Sequence, residues 1–228
     1  MESNTQFENS TFLTSKKLKH VNDNTVENMK FLIYYGTTSG KTKKLCAIAE
    51  NLLLNLKIKW EISLLDEKFP EDFIAHFKNE SNKSTVVILF LLPTWTEGAS
   101  PLNAKNFCDY IEECTTDFRI GSDYLKGLQF SVYGVGSSAY TKTYNTASKQ
   151  LFMNIRKLGG TFVHTLGLGD ENSQTGVEPH FRNWLSHLIK RTMNPKKPSI
   201  TTDTENINII DSEPDFNSNV DIEDIGID

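Results

Sequence analysis

Tyr34-Tyr35-Gly36-Thr37-Thr38-Ser39-Gly40-Lys41-Thr42 joins an apolar run to an amphipathic one. Before it stands Phe31-Leu32-Ile33, a short continuous apolar run suited to a strand buried on both faces. After it, Leu45, Ile48, Leu52, Leu53 and Leu56 recur at helical spacing. The joint is therefore a small-residue loop between strand and helix. Unpaired N–H groups in a helix's first turn, with hydroxyls beside them, make an anion site, because the helix dipole favours negative charge there. Gly36 to Thr42 nearly spells the nucleoside-triphosphatase P-loop, but that motif needs four residues between its glycines and this loop has three. The next apolar run, Val86 to Leu92, ends in Leu-Pro with no Asp to hold magnesium. A terminal monophosphate suits the loop better than a triphosphate, and a bare structural turn is the other reading.

Outward from this loop, strand and helix patterns alternate. Strand one is Lys30–Tyr35 and helix one Gly40–Leu56. Ile58, Trp60, Ile62 and Leu64 alternate with polar residues, as on a half-exposed edge strand. Phe69, Phe73, Ile74 and Phe77 mark a short helix, and Val86–Leu92 a central strand. Ser100-Pro101 reads as a helix cap followed by Pro in the first turn, with Leu102, Phe107, Ile111 and Cys114 as the buried face. Leu128–Tyr133 and Phe162–Leu168 are strands four and five. Tyr144 to Leu158 and Phe181 to Ile189 are helices. The pattern predicts an α/β three-layer sandwich: a five-stranded parallel sheet of order 2-1-3-4-5 with helices on both faces. That order puts the ligand cleft at the carboxyl ends of strands one and three.

The flanks differ from this core. Residues 1–28 are polar and aperiodic and read as a disordered N-terminal arm, leaving 29–191 as the folded domain. Residues 192–228 read as an acidic linker or tail. Net charge is −5, yet residues 198–228 hold nine acids and no Lys or Arg, so residues 1–197 are mildly basic. No apolar run reaches about 18 residues and the start lacks a signal peptide's apolar core, so a cytoplasmic location and no membrane partner are expected. Cys46, Cys108 and Cys114 match no zinc or disulfide framework and read as small buried hydrophobes.

Three more loops reach the cleft. After strand three comes Leu92-Pro93-Thr94-Trp95-Thr96-Glu97-Gly98, with an aromatic face beside exposed backbone donors. After strand four comes Gly134-Val135-Gly136-Ser137-Ser138-Ala139-Tyr140, followed by Tyr144 and Asn145 at the next helix start. After strand five, Gly167-Leu168-Gly169-Asp170-Glu171 brings two carboxylates to the rim. Trp95 and Tyr140 on neighbouring loops, above a phosphate nest, suit a flat tricyclic ring; Trp95 could instead simply cover the core. The five histidines are scattered with no nucleophile partner at motif spacing, so no catalytic residues and no metal site are expected.

Together these loops resemble the flavodoxin-like FMN domains of diflavin reductases, from Met29 to Lys190. Thr37-Thr38-Ser39-Gly40-Lys41-Thr42 stands where that family has its T/S-x-T-G-x-T phosphate loop, and Thr94-Trp95-Thr96-Glu97-Gly98 looks like its T-Y-G-E-G loop. Phe107-Cys108, Glu112-Glu113, Thr116-Asp117-Phe118-Arg119-Ile120-Gly121 and Tyr124-Leu125-Lys126-Gly127-Leu128 look more closely like the FMN domain of the tRNA 4-demethylwyosine synthase family. Val220-Asp221-Ile222-Glu223-Asp224-Ile225-Gly226 is similar to the acidic segment before that family's radical-SAM half. Ser137 departs from the usual Asn, Lys142-Thr143-Tyr144 replaces Ser-His-Phe, and the C-x-x-x-C-x-x-C cluster motif is absent.

The resemblance implies FMN as cofactor, with Trp95 and Tyr140 enclosing its ring and Asp170 near its rim. It extends the contacts to Thr37, Thr38, Ser39, Gly40, Lys41 and Thr42, then Pro93, Thr94, Thr96 and Gly98. Val135, Gly136, Ser137, Tyr144 and Asn145 complete the implied set. It further implies electron delivery to a 4Fe–4S cluster on a radical-SAM domain of the same protein. That cluster would cleave S-adenosylmethionine, and the family condenses N1-methylguanosine of tRNA(Phe) with pyruvate. The tRNA is expected to be met only through that domain, with an external reductase or NAD(P)H as electron source. Two other readings remain: a freestanding flavodoxin-type carrier, and the FMN domain of an NAD(P)H-dependent flavoprotein reductase.

Overall fold

The apolar runs at 31–33 and 86–92 become adjacent strands with almost every residue buried, since helices cover both faces of a parallel sheet. The computed structural model describes residues 28–82 and 84–194. The expected arm at 1–28 and tail at 192–228 lie outside the described residues, Asn28 and 192–194 excepted. In chain order the elements are β1 (Met29–Tyr35), α1 (Lys41–Asn55), β2 (Lys59–Leu64), α2 (Pro70–Ser81) and β3 (Thr85–Pro93). A short 3-10 turn (Thr96–Gly98) then leads to α3 (Leu102–Cys114), β4 (Gln129–Gly136) and α4 (Thr146–Lys157). The chain closes with β5 (Thr161–Phe162), β6 (Gly167–Asp170) and α5 (Val177–Met193). Among the described residues, no helix is long and apolar enough to cross a membrane.

The sheet order is β2-β1-β3-β4-β5, with β6 also paired to β4, and every pairing is parallel. One face carries Leu32, Tyr34, Ile88, Phe90 and Val132, which form one buried cluster with Phe73 of α2, Phe107 of α3 and Leu151 of α4. Ring centroids of Tyr34–Phe73 and Phe73–Phe107 lie 5.0 Å apart, edge to face. On the other face Tyr133 meets Phe181 of α5 at 4.8 Å, and α1 packs against α5. Fully burying one such ring contributes about 1.5–3 kcal/mol.

Four expectations are corrected. The fifth strand, expected as Phe162–Leu168, is two short strands on the same edge of β4, so the sheet has six. Between them the side chains of Ser131 and Trp184 take over from the ladder: Ser131 Oγ accepts the His164 N–H at 3.2 Å, and Trp184 Nε1 donates to the Thr165 carbonyl at 3.0 Å. Leu102 is 88% exposed and is not on α3's buried face. At 100° per residue it lies on the side of the helix away from Ala104, which together with Phe107, Ile111 and Cys114 makes that face. The α3 cap is the extended Pro101, one residue later than expected, and Ser100 does not cap it. Phe69, expected on α2's apolar face, is 77% exposed. The residue before a proline is driven to extended backbone, so Phe69 becomes the cap of α2 and its side chain leaves the helical phase.

Candidate functional site

Because all strands run the same way, the loops leaving β1, β3, β4 and β6 meet above one end of the sheet. There they line a cavity of about 380 Å³. The β1 loop is built around its own hydroxyls. Thr42 is fully buried and donates its Oγ1 proton to the Gly36 carbonyl at 2.6 Å. Thr37 Oγ1 accepts the Gly40 N–H at 3.1 Å, and the Thr37 N–H is held by Asn103 Oδ1 of α3 at 2.9 Å. Gly40 caps α1 at φ 81°, a left-handed conformation that a side chain resists, and no side-chain hydrogen bond caps the helix. The first-turn donors of α1 are thus left for a ligand. Gly36 is needed for another reason: a Cβ there would lie 2.8 Å from both Ala104 Cβ and Pro101 Cγ.

The β3 loop is pinned to its neighbour and to itself. The Thr94 N–H donates to the Val135 carbonyl at 2.8 Å, and the Trp95 N–H to the Ala99 carbonyl at 2.8 Å. Within it Glu97 adopts φ 59°, uncommon for a residue with a Cβ. Trp95, 55% exposed, and Tyr140 of the β4 loop, 71% exposed, line the same cavity. Large aromatic faces left open in a concave site are unfinished surface. Thr94 Oγ1 is buried there without a hydrogen-bond partner, an orphaned polar atom of the kind a ligand completes.

Of the expected contacts, the structure gathers Thr37, Thr38, Ser39, Lys41 and Thr42, then Pro93, Thr94, Trp95 and Thr96, then Gly136, Ser137 and Tyr140 on the cavity wall. Gly40, Gly98, Val135, Tyr144, Asn145 and Asp170 are not on that wall. Asn145 is fully buried at the start of α4, where its Nδ2 donates to the Gly169 carbonyl at 3.3 Å. Tyr144 donates its hydroxyl to the Leu168 carbonyl at 3.2 Å. Asp170 Oδ1 accepts the N–H groups of Ser138, at 2.9 Å, and of Asn172, at 3.0 Å. Partial burial alone would raise the Asp170 carboxyl, but those donors hold it below its ordinary value. These residues tie the β4 and β6 loops together.

Three wall residues went unassigned in the sequence: Glu97, Thr143 and Glu171. Each adjoins an expected contact, and that adjacency was the available signal. Glu171 forms an ion pair with Lys41, Oε1 to Nζ 2.7 Å, with both side chains partly exposed. Burial pushes the Cys46 and Cys108 thiols up to about 12, which keeps both protonated and unreactive near neutral pH.

The flavodoxin family model matches residues 33–184, spanning all four loops. The chain belongs to the flavodoxin family. It is also 31% identical over 163 residues to an S-adenosyl-L-methionine-dependent tRNA 4-demethylwyosine synthase from Homo sapiens, and 33% identical over 164 residues to one from Danio rerio. Each match takes in 70% of this chain and 22% of the relative, so the chain spans about a fifth of the length of these curated relatives. Among solved structures it is similar to oxidised Flavodoxin 2 from Bacillus cereus, with a TM-score of 0.54 and 20% identity over 71% of this chain and 99% of that one. A mutant of flavodoxin from Pseudomonas aeruginosa gives 0.55 and 21%, over 72% and 99%. These two likenesses concern the fold. The family implies FMN binding, and the uncapped helix start, the orphaned Thr94 hydroxyl and the paired open rings fit that cofactor.

Proposed function

We propose that this chain is an FMN-binding electron-transfer domain that serves 4-demethylwyosine formation in tRNA. The observation that carries the reading is one cleft joining an uncapped, hydroxyl-rich helix start to two exposed aromatic rings, in a chain similar to part of those synthases. The first-turn donors of α1 and the hydroxyls of Thr37, Thr38 and Ser39 receive the phosphate. Trp95 and Tyr140 take the ring between them and exclude water from its faces. Thr94 offers its unpartnered hydroxyl beside them. When bound, FMN supplies one-electron chemistry that no side chain here offers. The electrons would go to an iron–sulfur cluster on a radical-SAM domain, and tRNA would be met through that domain alone.

The test is genetic and chemical. Disrupting the gene in its own cell removes 4-demethylwyosine-derived bases from tRNA, read by mass spectrometry of nucleosides. The wild-type gene restores them, while a gene carrying Trp95→Ala and Tyr140→Ala does not. Modified bases that persist after disruption overturn the reading.

A further inference from the structure

Among the described residues on the cavity wall, Lys41 is the one cation, set against the carboxylates of Glu97 and Glu171. Lys41 is the first residue of α1, next to the phosphate nest, and its ammonium is spent on Glu171 at 2.7 Å. Glu171 is not a wandering rim acid. Its N–H donates to the Gly136 carbonyl at 2.8 Å, which fixes its backbone at the end of β4. The neighbouring Asp170 is already engaged by Ser138 and Asn172 and does not compete for Lys41. The pair therefore reaches from the loop after β1 to the loop after β6, past the two strands between them.

Resting on the FMN reading, we propose that Glu171 and Lys41 together set the affinity of the cofactor's phosphate end. Glu171 draws the lysine charge away from the nest, and Lys41 shields the phosphate from the glutamate. A bound phosphomonoester carries between one and two negative charges near neutral pH. With the pair intact, it meets a phosphate end of no net charge and is held by neutral N–H and hydroxyl donors. Remove the carboxylate, and Lys41 adds an attraction at close range. Remove the ammonium, and Glu171 repels the phosphate. The pair is partly exposed, so each effect is moderate and screened by salt.

The experiment titrates FMN, and separately riboflavin, into wild type, Glu171→Gln, Lys41→Met and the double variant, at low and high salt. Glu171→Gln tightens FMN roughly five- to tenfold at low salt and steepens its salt dependence, while Lys41→Met weakens FMN by a similar factor. The double variant returns to within about threefold of wild type, because the phosphate end with both charges removed again carries no net charge. Riboflavin, which lacks the phosphate, binds all four proteins alike. An unchanged or weakened FMN affinity in Glu171→Gln overturns the proposal. So do equal shifts for riboflavin and FMN, since a structural effect on the pocket does not distinguish them. Failure of wild type to bind FMN at all is a separate outcome: it overturns the FMN reading and this inference with it.

Discussion

Thr42 illustrates how much one hydroxyl does in this site. It is fully buried on the first turn of α1 and ties that turn back to the Gly36 carbonyl. With its proton engaged there, Thr42 acts on a ligand by shaping the loop, while Thr37, Thr38 and Ser39 keep exposed or half-exposed positions. Thr42→Ala leaves the buried carbonyl unpaired and lowers stability by about 1–3 kcal/mol. It also weakens FMN at least about tenfold, equivalent to about 1.4 kcal/mol. Urea unfolding and flavin titration of the same variant check both, and an unchanged midpoint would deny the staple. The hydroxyls were plain in the sequence, and the Gly36 carbonyl as partner was not, because a side-chain-to-backbone bond depends on how the turn closes.

At the scale of elements, β1 and β3 were legible because their unbroken apolar runs, four buried residues in succession in β1 and eight in β3, suit a strand covered on both faces. The split of the fifth strand was not. It depends on Ser131 and Trp184, which come to that edge from β4 and α5, distant in sequence. Leu102 misled for a simpler cause: an apolar residue near a helix start invites the wrong phase, and only the register of Ala104, Phe107 and Ile111 corrects it. The joint between β1 and α3 yields a prediction of its own. Gly36→Ala inserts a methyl 2.8 Å from Ala104 and Pro101, so α3 must move outward. Overpacking of this kind lowers stability by about 1–3 kcal/mol. Since Asn103 on α3 holds the Thr37 N–H, flavin affinity falls as well. Wild-type stability in chemical denaturation would contradict this packing.

For the molecule as a whole, the parallel sheet separates two kinds of polar group. The strand exits carry the open site, whereas the α5 face buries histidines. Burial, with Arg191 and His187 nearby, pushes the His164 imidazole down to about 4 from its ordinary 6.5. His180 and His187 are lowered too, chiefly by burial. The unfolded chain therefore binds more protons between about pH 6.5 and 4, so stability is greatest above that window and falls as pH drops through it. His164→Phe keeps the stack on Trp184 and flattens this part of the stability profile; an unchanged slope would show that His164 is not its source. At the strand exits, four loops fit one cofactor. The most direct measurement incubates the purified protein with FMN, FAD and riboflavin together, removes free flavin, and identifies by chromatography what heat releases. The released flavin is expected to be FMN, equimolar with protein; release of no flavin, or of FAD or riboflavin in preference, would rule out an FMN site.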